Sequence, residues 1–110
     1  MLEYHFVFKE SSNEPYYCSG TTRKGASATF GVEATHIGGS PALQVDVQHK
    51  NFSDTTWTSC GMFANITGTG VHLKDVTSLK EQLRLEFQFA SGSTGDFVAF
   101  RLLSPMWRDS

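Results

Sequence analysis

The sequence predicts an all-β protein, an antiparallel β-sandwich of jelly-roll or Greek-key-like type with seven to eight strands. Short segments alternate apolar and polar residues with a period of two, which is typical of strands with one dry and one wet face. Turn-forming Gly, Ser, Asn and Pro separate these segments at spacings of roughly 10 to 14 residues. No apolar stripe of helical period is long enough for three turns, and the best helical candidate is a single turn from Ser78 to Gln82.

Seven segments carry the strand pattern. In chain order they are residues 2–9, 28–37, 43–50, 56–66, 71–76, 83–89 and 97–103. In the first of them, Tyr4, Phe6 and Phe8 alternate with residues of the other face. Gly31 and Gly61 lie inside two segments, and glycine within a strand predicts a bulge or other irregularity there.

The clearest element is the stretch "EQLRLEFQFASGSTGDFVAFRLL", residues 81–103. Four apolar residues alternate with polar ones, a Gly/Ser/Thr run follows, and a second apolar stretch begins at Phe97. This order predicts a hairpin. The residues expected to fill the layer between the two sheets are Leu83, Leu85, Phe87, Phe89, Leu43, Val45, Val47 and Trp57.

The chain has 110 residues, which fits a single domain spanning residues 1–110. Residues 10–27, "ESSNEPYYCSGTTRKGAS", are rich in Ser, Gly and Thr and predict one long loop. A loop of this length in a compact domain tends to be functional or to contact a partner.

Charge and composition argue against several classes of protein. The formal net charge is −2 and no basic stripe is visible, so we expect no nucleic-acid binding. Charged residues interrupt the apolar residues of "MLEYHFVFKESS", so no export signal is expected, and no apolar run is long enough for a membrane helix. With a reducing compartment as the default, Cys18 and Cys60 are expected to be free thiols; the alternative is a disulfide that closes a long loop.

The sequence carries no recognisable catalytic or metal-binding pattern. The four histidines, which are His5, His36, His49 and His72, show no metal-ligand spacing, and no serine lies in a Gly-x-Ser-x-Gly elbow. Asp46 and Glu86 could meet across a sheet, but both lie on expected wet faces, where solvated charges are the norm. We therefore expect a protein that is not an enzyme and that uses no metal or cofactor.

The remaining candidates for function are aromatic and basic residues outside the expected core. They are Tyr16 and Tyr17 in the long loop, and Met106, Trp107 and Arg108 near the end of the chain. Pro105 is expected to end strand pairing, so that the last three residues point away from the sandwich. Tyr, Trp, Met and Arg are enriched in interfaces, which makes these five residues a candidate partner interface, or alternatively lids on the sandwich's own ends.

From about residue 43 onward the order of features resembles a known group of proteins. "VDVQHKNFSDTTWT" is strand, polar turn and Trp-bearing strand; "ITGTGVHLKDVTSLKEQLRLEF" is turn, short strand, corner and alternating strand; "GDFVAFRLLSPMW" closes the chain. This order resembles the small all-β structural proteins of tailed-phage particles, which decorate or cement a capsid. It is also similar, more loosely, to jelly-roll modules of the discoidin and galactose-binding type.

The first resemblance implies a virion structural protein that is assembled in the host cytoplasm and then carried on the particle. Its partners would be capsid subunits or copies of itself, so a homo-oligomer is expected. The second resemblance implies the alternative, a carbohydrate-binding module or adhesin whose loops contact a sugar.

Overall fold

The structure, a computed structural model, describes residues 3–18 and 20–109. Within these residues the chain forms nine strands and no helix, arranged as two antiparallel sheets. The strands are β1 (Glu3–Phe8), β2 (Tyr16–Tyr17), β3 (Thr21–Thr22), β4 (Ser27–Gly38), β5 (Ala42–Lys50), β6 (Thr58–Met62), β7 (Gly70–Val76), β8 (Gln82–Ser91) and β9 (Phe97–Arg108).

The strand order is that of a jelly roll. One sheet, here called sheet A, has the order β1-β9-β4-β7, and the other, sheet B, has the order β2-β8-β5-β6, with β3 also paired to β8. The first strand therefore pairs with the last, β2 and β3 with β8, β4 with β7, and β5 with β6. This nested pairing is what a long hairpin gives when it is rolled into two facing sheets. The predicted all-β sandwich is confirmed.

The core lies between the two sheets, where the alternation of β5 and β8 places it. All the residues predicted for this layer on those two strands, from Leu43 to Phe89, are buried. Sheet A contributes Val32 and Phe100 from the opposite side, and the Phe87 and Phe100 rings stack with their centroids 4.5 Å apart.

Trp57 corrects the prediction of the core, because it does not lie in the interlayer. It precedes β6, is only partly buried, and lies against two cations on the polar outer side of sheet B. The Lys50 ammonium is 5.4 Å and the Arg84 guanidinium 4.6 Å from its ring centre. The apparent alternation through residue 57 fails because the chain is still in the turn there, and the indole is stabilised instead by stacking on cations.

The predicted long loop, residues 10–27, is also partly structured. Tyr16 pairs with Phe87 and Thr21 pairs with Leu83, so two short strands lie one after the other along β8. They supply hydrogen-bond partners to an edge that sheet B would otherwise leave unpaired. The prediction of an unstructured loop is therefore wrong for these residues.

Pro105 does not end the pairing of β9, contrary to expectation. The strand continues to Arg108, with Met106 opposite Thr29 and Trp107 opposite Ala28. The register shifts between Thr29 and Gly31, opposite Pro105. A β-bulge at this point accommodates a residue that has no N–H to donate, and it confirms the irregularity predicted at Gly31.

The predicted helical turn at Ser78 to Gln82 is wrong. Ser78 has a φ of 56°, in the left-handed region, which interrupts any right-handed turn. Leu79 then donates its backbone N–H to the Ala26 carbonyl at 2.9 Å and buries its side chain in the core. The corner is thus an anchor between the two sheets.

The outward faces of the two sheets differ in chemistry. Sheet B presents polar residues such as Gln48, Arg84 and Glu86. Asp46 lies directly opposite Glu86 on this side, but its side chain is buried rather than solvated. Ser59 Oγ and Gln48 Nε2 donate hydrogen bonds to its carboxylate at 2.5 and 3.2 Å. Sheet A instead presents large apolar side chains, and these form the candidate site.

Candidate functional site

The outer side of sheet A carries a row of exposed aromatic rings on β1. Tyr4 is 72%, Phe6 50% and Phe8 55% exposed. With a full aromatic side chain burying about 150–250 Å², these fractions leave about 350 Å² of aromatic surface in contact with solvent. An exposed apolar patch of this size lies in the range of the largest patch on a typical monomeric protein, and that patch is often functional.

Two rings of this row, Phe6 and Phe8, contact each other and Phe97 of β9. Phe6 stacks on Phe97 with centroids 4.8 Å apart and planes inclined by 18°. Phe8 lies 4.7 Å from Phe6 and 6.0 Å from Phe97. The four residues Tyr4, Phe6, Phe8 and Phe97 are called the aromatic face below. The contacts among the three phenylalanine rings fix a ready-made surface that requires little ordering when a partner binds.

The alternate residues of β1 turn inward and hold the strand in place. Val7 is buried, and the His5 ring stacks on Phe100 with centroids 5.4 Å apart. His5 Nδ1 is 2.6 Å from Tyr16 Oη, a hydrogen bond that joins β1 to β2 across the interlayer. Because residues of a strand alternate between faces, this anchoring leaves Tyr4, Phe6 and Phe8 no position except the outer one.

An ion pair lies beside the aromatic face. Arg101 of β9 donates through Nε to the Glu33 carboxylate and through Nη1 to Tyr4 Oη at 3.5 Å. Hydrogen bonds with Tyr4 and Glu33 raise the pKa of the Arg101 guanidinium further above its ordinary value. The polar side chains next to Tyr4, Arg101 and Glu33, are therefore bonded to each other.

Apolar residues continue along the same outer side towards β7. Val71 and Leu73 are more than half exposed, as is Met106 of β9. At Gly31 a Cβ atom would lie 2.9 Å from the Leu103 side chain and 3.2 Å from that of Leu73, so the two leucines approach each other over the glycine. Sheet A thus has an apolar outer side from β1 to β7, interrupted by the Arg101–Glu33 pair.

The edge of β1 that faces away from β9 is accessible. No strand pairs with this edge in the part of the chain that the structure describes. A groove of about 270 Å³ at this strand is lined by residues 6–8 of β1 together with Glu10, Glu14, Pro15 and Tyr16.

The structure separates the five predicted interface residues into two groups. Tyr16 packs against the core and is held by His5, whereas Tyr17 is 42% exposed and lies with its ring 4.1 Å from the Arg84 guanidinium. A hydrogen bond with Glu86 raises the pKa of the Tyr17 hydroxyl. Both residues belong to β2, at the edge of sheet B.

Met106, Trp107 and Arg108 lie together at the far end of sheet A. Trp107 packs against the core with its ring centroid 6.3 Å from that of Phe30, while Met106 points outward. Arg108 donates to Thr29 Oγ1 at 2.7 Å and lies 4.0 Å from the Asp75 carboxylate. The role of all five residues at an interface stays a prediction.

A second groove, of about 550 Å³, opens between the sheets beside Trp107. Its walls include Phe30, Leu83, Leu102 and Trp107, and the Cys18 thiol also lines it. The groove is half open and mostly apolar.

The structure places no disulfide between Cys18 and Cys60, in agreement with the prediction that both are thiols. Cys18 is buried, with its Sγ atom 3.8 Å from His5 Nε2. Burial, followed by the nearby Asp46 carboxylate, raises the pKa of the Cys60 thiol to about 11. Cys60 is therefore a poor nucleophile at neutral pH, since the thiolate is the reactive form.

His49 of β5 is buried and hydrogen-bonded. Its Nδ1 atom accepts the Lys80 backbone N–H at 3.2 Å, and burial lowers its pKa. Among residues 3–18 and 20–109, no group of three or more His, Cys, Asp and Glu side chains is placed to hold a metal ion.

Sequence reasoning missed the aromatic face, although its residues were recognised as one side of a strand. Alternation along β1 favours the wrong side, because the side with Tyr4, Phe6 and Phe8 is the more apolar one but the other side faces the core. The available signal is the size of the side chains. At this end of the strand Tyr16 and Phe100 already occupy the interlayer, and the smaller His5 and Val7 can still fit beside them.

Comparison of the chain with protein-family models, with curated proteins and with solved structures finds no match. The part of the chain that the structure describes has no helix of sufficient length and apolar character to cross a membrane. The fold and site define the class of the protein: a jelly-roll β-sandwich with one polar outer side and one aromatic outer side.

Proposed function

We propose that this chain is a non-enzymatic structural protein that attaches to protein surfaces through the aromatic face of sheet A. The setting suggested by the sequence is the capsid of a tailed phage, which the protein would decorate or cement by contacting neighbouring subunits. The observation that carries the proposal is the exposed row of Tyr4, Phe6 and Phe8, since buried aromatic anchors supply much of the binding energy of protein interfaces.

The chemistry around the rings supports a protein partner. Phe6 and Phe8 have no polar group of their own, and the nearest polar side chains, Arg101 and Glu33, are already engaged with each other. Apolar rings with few free donors suit the dry centre of a protein interface, which is depleted of charge. The surface extends through Val71, Leu73 and Met106, so it can approach the roughly 800 Å² per partner of a standard interface.

The architecture supports the same class of function. Jelly rolls occur in viral capsid proteins and in lectins, so the fold itself is compatible with both resemblances. Fold alone does not assign function, so the choice between a capsid-binding and a sugar-binding protein must rest on the chemistry of the surface. On the polar outer side, Tyr17 and Trp57 have their ring faces stacked on Arg84, which reduces the aromatic surface they offer to a sugar.

The test starts from the genes around this one: if they include a capsid subunit, shells assembled from that subunit are used for co-sedimentation, and a neighbourhood without any virion gene would count against the proposal. We expect saturable binding by the unaltered protein, loss of binding in Phe6→Thr, and normal binding in Phe52→Thr, which alters an equally exposed ring in the turn after β5. Insoluble polysaccharides and a glycan array serve as the comparison ligands. Glycan binding that Phe6→Thr abolishes, without any binding to shells, would overturn the proposal in favour of the carbohydrate-binding alternative.

A further inference from the structure

The β1 edge lacks the features that usually protect an exposed strand. Between Glu3 and Lys9 the strand reads Tyr-His-Phe-Val-Phe, with no Lys, Asp, Glu or Pro. The opposite edge of the same sheet, β7, carries Lys74 and Asp75. Natural proteins commonly block strand-to-strand association by placing charges or proline on edge strands, so an unblocked apolar edge favours pairing with another strand.

The backbone of β1 also points the right groups outward. Lys9 directs its N–H to the Asp96 carbonyl at 2.7 Å and accepts the Gly95 N–H at 2.9 Å, so its backbone groups face β9. Backbone direction alternates along a strand, and therefore the N–H and C=O groups of Tyr4, Phe6 and Phe8 face the open edge. The three residues that expose their rings are those that offer free backbone hydrogen bonds.

We propose that two copies of this chain pair through their β1 edges as antiparallel strands centred on Phe6. In this register Phe6 lies opposite the partner's Phe6, and Tyr4 lies opposite the partner's Phe8. In sequence, this register sets the acidic residue at position 3 against the basic residue at position 9 of the partner. All three positions with outward backbone groups become hydrogen-bonded pairs of an antiparallel ladder.

The paired edges join the two copies of sheet A into one eight-stranded sheet across a two-fold axis. An isologous contact of this kind closes on itself and stops at a dimer. The aromatic faces of the two copies then form one continuous stripe of twice the area. The use of this stripe to bind a shell rests on the proposed function, whereas the pairing itself does not.

The first test compares two substitutions of one residue by sedimentation equilibrium. Phe6→Thr removes the ring but keeps the N–H, whereas Phe6→Pro also removes the N–H that faces the open edge, a position where an edge strand tolerates proline. We expect a dimer for the unaltered protein and a dissociation constant about thirtyfold higher for Phe6→Pro than for Phe6→Thr, because two backbone bonds at the two-fold axis are lost. Equal dissociation constants for the two variants would overturn the pairing.

The second test probes the same pairing through charged side chains, and it is needed in case Phe6→Pro does not fold. Lys9→Glu places like charges opposite each other twice in the dimer and should weaken it about tenfold, whereas Glu3→Lys combined with Lys9→Glu should restore it. A protein that stays monomeric, or a dimer that none of these substitutions affects, would overturn the inference. Shell binding by a monomer would reject the pairing but keep the proposed function, and a dimer that binds no shell would do the reverse.

Discussion

Phe87→Ala should lower the free energy of unfolding by about 3–5 kcal/mol, the largest effect on stability that we expect from one substitution. Phe87 is fully buried at the centre of β8 and stacks on Phe100 of the opposite sheet. Its removal leaves a cavity that the two sheets cannot close without breaking other contacts. Because a domain of this size has a total stability of about 5–15 kcal/mol, the loss should be evident in a urea titration.

The matched control for this prediction is Phe52→Ala. Phe52 is 59% exposed in the turn after β5, so its truncation should change the free energy of unfolding by about 0.5 kcal/mol or less. If Phe87→Ala unfolds at the same urea concentration as Phe52→Ala, the strand register that places Phe87 between the sheets is wrong.

The double variant Phe6→Thr/Phe8→Thr should have a small effect on stability and a large effect on binding to the shell. Threonine keeps the preference for strand, and both phenylalanines are about half exposed, so we expect the free energy of unfolding to fall by about 1 kcal/mol or less per residue. Truncating two central aromatic residues of an interface should cost about 2 kcal/mol each, which together is roughly a thousandfold in affinity for the shell.

The measurement is a thermal melt and a shell-binding isotherm on the same preparation. A large fall in melting temperature with unchanged affinity would show that the aromatic face stabilises its own domain. Phe52→Thr again provides the control, since it removes exposed aromatic surface away from sheet A.

The parts of the fold that could be predicted are those where one strand face is polar. Along β5 and β8, charged or amide residues mark the outer side, so Val45 and Phe87 are assigned to the core without ambiguity. The same reasoning fails at Trp57, because alternation carries no information once the chain is in a turn. It fails for β2 and β3 because a strand of two residues has no period to detect.

The candidate site could be predicted only in part. Along β1 the more apolar side faces solvent, because the choice between the two sides depends on contacts of His5 with Tyr16 and Phe100, which are distant in sequence. The bulge that carries β9 past Pro105 depends in the same way on its pairing with β4. Such contacts arise from the tertiary arrangement, so a local pattern can name the residues but not the side of the sheet on which they lie.

Hydroxyl-radical footprinting of the protein, free and bound to shells, tests the central claim most directly, because it reports which side chains become covered and does not depend on whether the backbone of β1 is already paired in a dimer. Binding should protect the rings of Tyr4, Phe6 and Phe8 and leave Phe52 in its turn unchanged. Protection of Tyr17 and Phe52, with none along β1, would contradict the central claim and place the binding surface on sheet B.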